Sequence, residues 1–511
     1  MDASDQTFSN DRMFQAFKRI RNRIGKYRPL DIAMKAMEML NTVETDQSRI
    51  GRYPPHFLAL LIKWSFLHGN YCSANYRTLT PRDFNDIVNL VHAFDEAARP
   101  PSDFGSLQRF IKTISHQQFY LQWCATKAGW VKPVLLFEAL NRSGYAEQSF
   151  QKLTALSIPV FTDLSIITSA FFVNAKGPTR ITRHNFHEIR DIEPAQISAF
   201  LRALSLRPEE VRTFLERVAP KRCSWDYELH EEFPLRRKPL LEVNGFFYPY
   251  SRGLLSYSLE HFVYDTLRED SPERFMSEFG SVFESYVGLG IADSKLPYFT
   301  ERELRGLIRR GNKIVDYVLI AGDTNVLVDA KGVEMHRLGR VSHLGEVVEG
   351  KLKSSVISAI EQGNETVAAL RLLNPENEVK FGAGSSFLLV VTYKGMYVGN
   401  GADLMEIIGQ DRAASLVQKI GNPPLIPWNH IYYLSADEFD LLMGAVQHGA
   451  DLGTILQSAA RADAVPTTKV WCFGNHLKNL MLDKHYPRHV EEVFEQIPLR
   501  LAKHLRPLNC G

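Results

Sequence analysis

Hydrophobic and polar positions follow two rhythms along this chain, and the change falls near residue 220. Over residues 11–218 apolar side chains return every three or four positions, as in FLALLIKWSFLHG and FNDIVNLVHAFDEAA, which predicts a mainly helical region. Pro54-Pro55 and Pro100-Pro101 punctuate it, and SDFGSL at 102–107 offers a small polar cap for a further helix. Past residue 220, PLLEV, then Asn244-Gly245, then FFYP predict two short strands about an NG turn. A helix is expected over about Leu254 to Leu267. In FMSEFGSVFESYVGLGI, residues Phe279, Phe283, Tyr286, Val287 and Leu289 recur at helical steps and predict a second, buried one.

Three strand-like segments come next: Tyr298 to Arg309, Lys313 to Ile320 (KIVDYVLI) and Asn325 to Gly332 (NVLVDAKG). Their connectors, RGN and AGDT, are short and turn-rich, so the strands should be antiparallel neighbours. A polar loop from Val333 to Gly345 leads into a long helix, about Glu346 to Leu372. FLLVVT, Phe387 to Thr392, is a continuous apolar run of the kind a fully buried strand shows. IYYL at 431–434 predicts a further strand, with a helix from Ala436, and residues 450–511 read as helical again. The element order is therefore α, β, β, β, α, β with additions, an α+β or α/β architecture. Residues 1–232 form a helical N-terminal region, 233–274 a hairpin and connecting helix, 275–450 the α/β domain and 451–511 a helical C-terminal segment.

Composition changes this picture little. At roughly 100 to 200 residues per domain, 511 residues suit two to four domains. The 45% hydrophobic and 23% charged content supports ordinary packed cores. The formal net charge of +2 means that any nucleic-acid binding must rely on a local basic surface. Five scattered cysteines with no CxxC pair fit a reducing compartment. The acidic N-terminal start does not resemble a signal peptide, and the apolar runs are interrupted or short. The expectation is a cytoplasmic protein with no membrane segment.

Candidate chemistry concentrates around AGDT. Asp316 lies among Ile314, Val315, Val318, Leu319 and Ile320. Asp329 follows Val326, Leu327 and Val328, with Lys331 two positions on. Acids inside apolar strands are costly unless paired or bound to a metal. A hairpin brings Asp316 alongside Asp329, and the two-residue strand period puts Asp329 and Lys331 on one face. Two carboxylates and an ammonium converging in this way suit phosphodiester hydrolysis. The acids are hard oxygen ligands for Mg²⁺, and the lysine can orient water or stabilise developing negative charge. Glu284, on the preceding helix, offers a third carboxylate and the Ala330 carbonyl a further ligand.

These residues resemble the signature of the PD-(D/E)XK nucleases, which have the restriction-endonuclease-like fold: an acid on the first helix (FES, Glu284), an acid on the second strand (KIVDYVLI, Asp316), then VDAKG with Asp329 and Lys331 on the third. The resemblance covers about residues 275 to 450. It implies an αβββαβ core with a mixed central sheet, metal binding by Asp316 and Asp329, water activation assisted by Lys331, and the helix-acid role for Glu284. It also implies Mg²⁺ or Mn²⁺ as cofactor and DNA, more than RNA, as partner. By architectural analogy it implies an effector of bacterial antiviral defence acting as a homo-oligomer or with a partner subunit. Val315 stands where the motif has proline, and Asp329 replaces the commoner glutamate. Thr366, four positions after Gln362, replaces the tyrosine that some members carry, so Gln362 is read as an ordinary helix residue. The alternative is a catalytically inactive nuclease fold serving as a nucleic-acid-binding or assembly subunit.

Other groups carry weaker signals. Arg305, Arg309, Arg310 and Lys313 lie near the acids in sequence and would guide nucleic acid toward them. The run FKRIRNRIGKYRP is read first as a solvated helix face. Cys472, His476, His485 and His489 have ligand-like spacing but no glycine knuckle, and HNFHE lacks the HExxH order. There is no Walker A loop and no GxGxxG.

Overall fold

In a computed structural model the described residues are 3–71, 75–98, 104–141, 144–173, 179–187, 189–218, 225–308, 313–373, 381–382 and 384–504. The protein is a mixed α+β molecule, with eight strands among these residues gathered in two sheets and packed between many helices.

The smaller sheet joins β1 (Ser205–Leu206), β2 (Leu240–Val243) and β3 (Phe246–Pro249). Asn244 and Gly245 both take positive φ, 52° and 78°, between β2 and β3, the backbone that a tight hairpin needs and the NG pair supplies. The larger sheet runs β4 (Tyr298–Thr300), β5 (Tyr317–Ala321), β6 (Thr324–Lys331), β7 (Ser386–Thr392) and β8 (Ile431–Ser435) in that spatial order. The β4–β5 and β5–β6 pairs are antiparallel; β6–β7 and β7–β8 are parallel. β7 is buried along its whole length, as its uninterrupted apolar run predicts.

Each face of the larger sheet packs on its own apolar core. Tyr317, Val326, Val328, Leu389 and Val391 face a core shared with the Pro272–Ser294 helix, through Phe279, Phe283 and Tyr286. The same core takes Phe161 and Phe200 from the N-terminal half and Leu452, Leu477 and Val490 from the C-terminal helices. Val318, Leu327, Leu388 and Val390 face the other core, beneath the Ser358–Arg371 helix. A third core holds the first helices around Trp64, together with Leu241 and Leu254.

Four expectations change. The second strand, expected over Lys313 to Ile320, starts only at Tyr317, so Asp316 stands just before it, and the polar loop expected over Val333 to Gly345 holds a short Arg337–Val341 helix. The strand expected over Tyr298 to Arg309 is three residues long and turns into the Glu301–Leu307 helix. Thr300 and Glu303 form a reciprocal capping box there, which satisfies the free amides of the first turn and makes a helix start cheaper than a longer edge strand. The helix expected as one piece over Glu346 to Leu372 carries a π-turn at Lys353–Ile357 between Gly345–Leu352 and Ser358–Arg371. Among the described residues, no single helix is long and apolar enough to cross a membrane.

Candidate active site

Register decides the geometry of the acids. Tyr317 pairs with Val328 at the end of the β5–β6 ladder, so one step further Asp316 stands opposite Asp329. The alternation places Asp316 with Val318, and Asp329 and Lys331 with Leu327, all toward the Ser358–Arg371 helix. Asp316 Oδ2 accepts the amide of Ala330 at 2.6 Å, which ties the two strand ends together across the acids.

Asp329 is fully buried. The Lys331 ammonium lies 2.8 Å from its Oδ2, at ion-pair distance but off the hydrogen-bonding direction, and among the described residues Oδ1 has no hydrogen-bond partner. Lys331 Nζ also donates to Gln362 Oε1 at 3.2 Å, and Gln362 Nε2 to the Ile314 carbonyl at 3.4 Å. Thr366 accepts the Val315 amide at 3.2 Å and donates to the Gln362 carbonyl at 2.8 Å. Gln362 therefore differs from its sequence reading as an ordinary helix residue. Its helix packs across β6 on the face that carries Lys331, a relation that only the tertiary fold supplies.

Glu284 reaches the cluster from the opposite layer, on the Pro272–Ser294 helix, and its own carbonyl accepts the Tyr317 hydroxyl at 3.1 Å. A fourth acid, Glu301, was hidden by the strand reading of its segment. Its amide donates to the Asp316 carbonyl at 2.7 Å, and its carboxylate pairs with Arg305. The S/T-x-x-E pattern of TERE was the available signal for it.

The electrostatics are those of acids short of positive charge. Burial, then the neighbouring Asp329 charge, pushes the Asp316 carboxyl from 3.8 up to about 8. Burial raises Asp329 as well, against the pull of Lys331. Glu284 is raised by burial and then by Glu301 and Asp329. As placed, no group of three or more Asp, Glu, His or Cys side chains among the described residues is gathered tightly enough to hold a metal ion. A cleft of about 790 Å³ lies elsewhere, beside Asp31, Glu38 and Arg252.

The flanking cations are partly engaged. Arg305 is held by Glu301, and Lys313, more than half exposed, stands 3.7 Å from Glu361. Arg309 and Arg310 lie outside the described residues. In the N-terminal basic run, Arg23 pairs with Asp83 and Asp86 and Tyr27 is buried. The ligand-like C-terminal set has separate partners: His476 binds Asp463, His489 binds Asp293, and His485 stacks on His448. Comparison with family models, curated proteins and solved structures finds no match for this chain.

Proposed function

We propose that this chain is a metal-dependent nuclease of the PD-(D/E)XK type, hydrolysing phosphodiester bonds, with DNA as the first substrate. The observation that carries this reading is the meeting of Asp316, Asp329 and Lys331 at the end of β5 and β6, with a fully buried Asp329 whose Oδ1 has no hydrogen-bond partner among the described residues. A buried, unpartnered carboxylate oxygen is expensive unless a cation completes it. Three acids held above their ordinary pKa values by burial and mutual repulsion add to that demand.

The oxygen chemistry of these donors suits Mg²⁺ or Mn²⁺, and Asp316, Asp329, Glu284 and the Ala330 carbonyl are the residues that would hold it, the acids drawing closer together than they stand here. Such an ion supplies an acidified water and charge neutralisation on the phosphate. The protein supplies the rest. The Lys331 ammonium, bonded to Gln362 on one side and ion-paired with Asp329 on the other, is placed to orient a water or to donate to a phosphate oxygen as charge develops. The Ala330 amide fixes Asp316, so the acids enter the reaction already positioned.

The test is incubation of supercoiled plasmid and of single-stranded DNA and RNA with the full chain in Mg²⁺ or Mn²⁺, beside Asp329→Ala and Lys331→Ala. Cutting by wild type that both variants lose supports the enzyme. Nucleic-acid retention without cutting turns the assignment to a binding scaffold, and neither cutting nor retention removes both.

A further inference from the structure

The parallel strands β6, β7 and β8 end at Lys331, Thr392 and Ser435, and the segments leaving those ends frame a cavity of about 220 Å³. Glu334 follows β6, Tyr393, Lys394 and Tyr397 follow β7, and Asp437 follows β8. The space outside the carboxyl ends of parallel strands is where open α/β sheets bind ligands. The opposite wall comes from other parts of the chain: His116, Phe119 and Trp123 from the N-terminal half, and Tyr257 and His261 from the Arg252–Asp270 helix. Phe119 is 44% exposed, which puts the mouth on its side.

The lining is aromatic. His261 stacks on Tyr257 at 4.4 Å and lies 5.4 Å from Tyr393, while His116 and Phe119 meet the Tyr397 ring edge-on at 4.8 and 5.1 Å. Tyr397 is held at φ 52°, a left-handed backbone that a bulky side chain rarely adopts. Such strain persists where the surroundings enforce a geometry.

The polar groups narrow the ligand. Lys394 is taken by Asp265 and Glu334. Arg340 is taken by Glu232, Glu334 and the Met335 carbonyl. Neither cation is spare for a phosphate. Burial, reinforced by nearby cations, keeps His116 and His261 neutral. Burial likewise keeps the phenols of Tyr257, Tyr393 and Tyr397 protonated. Three buried atoms of the lining residues have no hydrogen-bond partner among the described residues: Glu334 Oε2, which is ion-paired with Lys394 and Arg340, Asp437 Oδ1, and His261 Nδ1, the last 3.8 Å from Glu260 Oε1. His261 is 2% exposed. An unpaired acceptor, a neutral imidazole and phenolic hydroxyls, set among ring faces, match a neutral planar heterocycle that carries both donors and acceptors. The volume lies below the ~300–1,000 Å³ of drug-sized pockets.

We propose that this cavity binds a nucleobase, stacked on the aromatic lining and hydrogen-bonded by Asp437, His261 and the Tyr257 hydroxyl. Bases are recognised in this way, by ring stacking and edge hydrogen bonds, when extruded from a strand or offered as a free nucleoside. The site is separate from the Asp316–Asp329 cluster, and the two assignments stand or fall independently. Glu334 is three residues beyond Lys331, so its Cα lies within about 11 Å of the lysine's.

The experiment is calorimetric titration of the full chain with adenosine, guanosine, cytidine and uridine, and with short single-stranded homopolymers, repeated on His261→Phe, Tyr257→Phe and Asp329→Ala. The expected result is saturable binding of at least one probe, weakened about tenfold in His261→Phe or Tyr257→Phe by loss of an edge hydrogen bond. Nucleoside binding is unchanged in Asp329→Ala. Binding of free nucleosides identifies a free ligand; binding of homopolymers alone, weakened in the same cavity variants, identifies an extruded base. Absence of saturable binding by every probe at millimolar concentration overturns the proposal, as does equal affinity in every folded cavity variant. Tyr257→Phe retains the ring and decides the matter if His261→Phe fails to fold.

Discussion

The ammonium of Lys331 stands 2.8 Å from Oδ2 of Asp329, a carboxylate with no solvent exposure whose other oxygen has no partner among the described residues. One cation thus serves an acid that itself faces Asp316 across the strand pair, with Glu284 and Glu301 close enough to add repulsion. Such a cluster costs stability and is the kind of place where a fold gives up stability for function.

That cost has a sign in pH. The Asp316 carboxyl is raised from 3.8 to about 8 in the folded chain. A raised acid contributes stability that is fully present below its unfolded pKa and lost as pH climbs through the folded value. Between about pH 4 and pH 8 the protein should lose stability with rising pH at this site. Asp316→Asn keeps an oxygen for the Ala330 amide and removes the charge, so it should flatten that slope and stabilise the chain at about pH 8 by about 1–3 kcal/mol. Urea midpoints of both proteins at about pH 5 and pH 8 decide this, and parallel slopes would sink the idea.

Divalent cation should reverse the same term. Mg²⁺ or Mn²⁺ is expected to raise the urea midpoint of the wild type at about pH 8, because binding to the folded form alone stabilises it. The shift should vanish in Asp329→Ala. An equal shift in both proteins would show that the ions act elsewhere.

Gln362 holds Lys331 from the helix above β6. Gln362→Ala should cut cleavage about tenfold and cost about 1–2 kcal/mol of stability, since it removes two long, part-buried hydrogen bonds, to Lys331 and to the Ile314 carbonyl. Thr366→Val should behave differently: it strips the Val315 amide of its acceptor and should cost about 1–3 kcal/mol. Denaturation and cleavage measured on both variants separate the two roles.

Gly332 ends the VDAKG run against the Pro272–Ser294 helix. A Cβ there would meet the Phe279 ring at 2.9 Å and Phe283 at 3.4 Å. Both rings are buried, so neither yields readily. Gly332→Ala should destabilise by about 1–3 kcal/mol through overpacking and displace Lys331, lowering cleavage as well. Unchanged stability would mean that the strand end shifts freely.

Lys132 is entirely buried and pairs with Glu260 at 2.6 Å and Asp437 at 2.7 Å. Lys132→Met should cost about 3–5 kcal/mol, because two acids are left without their cation. A loss below about 1 kcal/mol would show that the acids simply take up protons.

What could be read from the residues alone was whatever local periodicity and local chemistry encode. The NG hairpin, the buried β7 run and the amphipathic helix bearing Phe279, Phe283 and Tyr286 each declare themselves within a dozen residues. So does the acid pair flanking AGDT, since a two-residue turn leaves little freedom in how β5 meets β6. The Glu301–Leu307 helix was legible too, through its capping box, although its segment read as a strand beside the short RGN connector. What only the tertiary structure decided involves residues far apart in the chain. Gln362 meets Lys331 because a helix folds back over β6, and Glu301 joins the acids from the short helix that follows β4. The aromatic cavity draws its walls from His116 to Asp437. No local pattern specifies such meetings, because they depend on how whole faces are buried against one another and not on the propensity of any one segment.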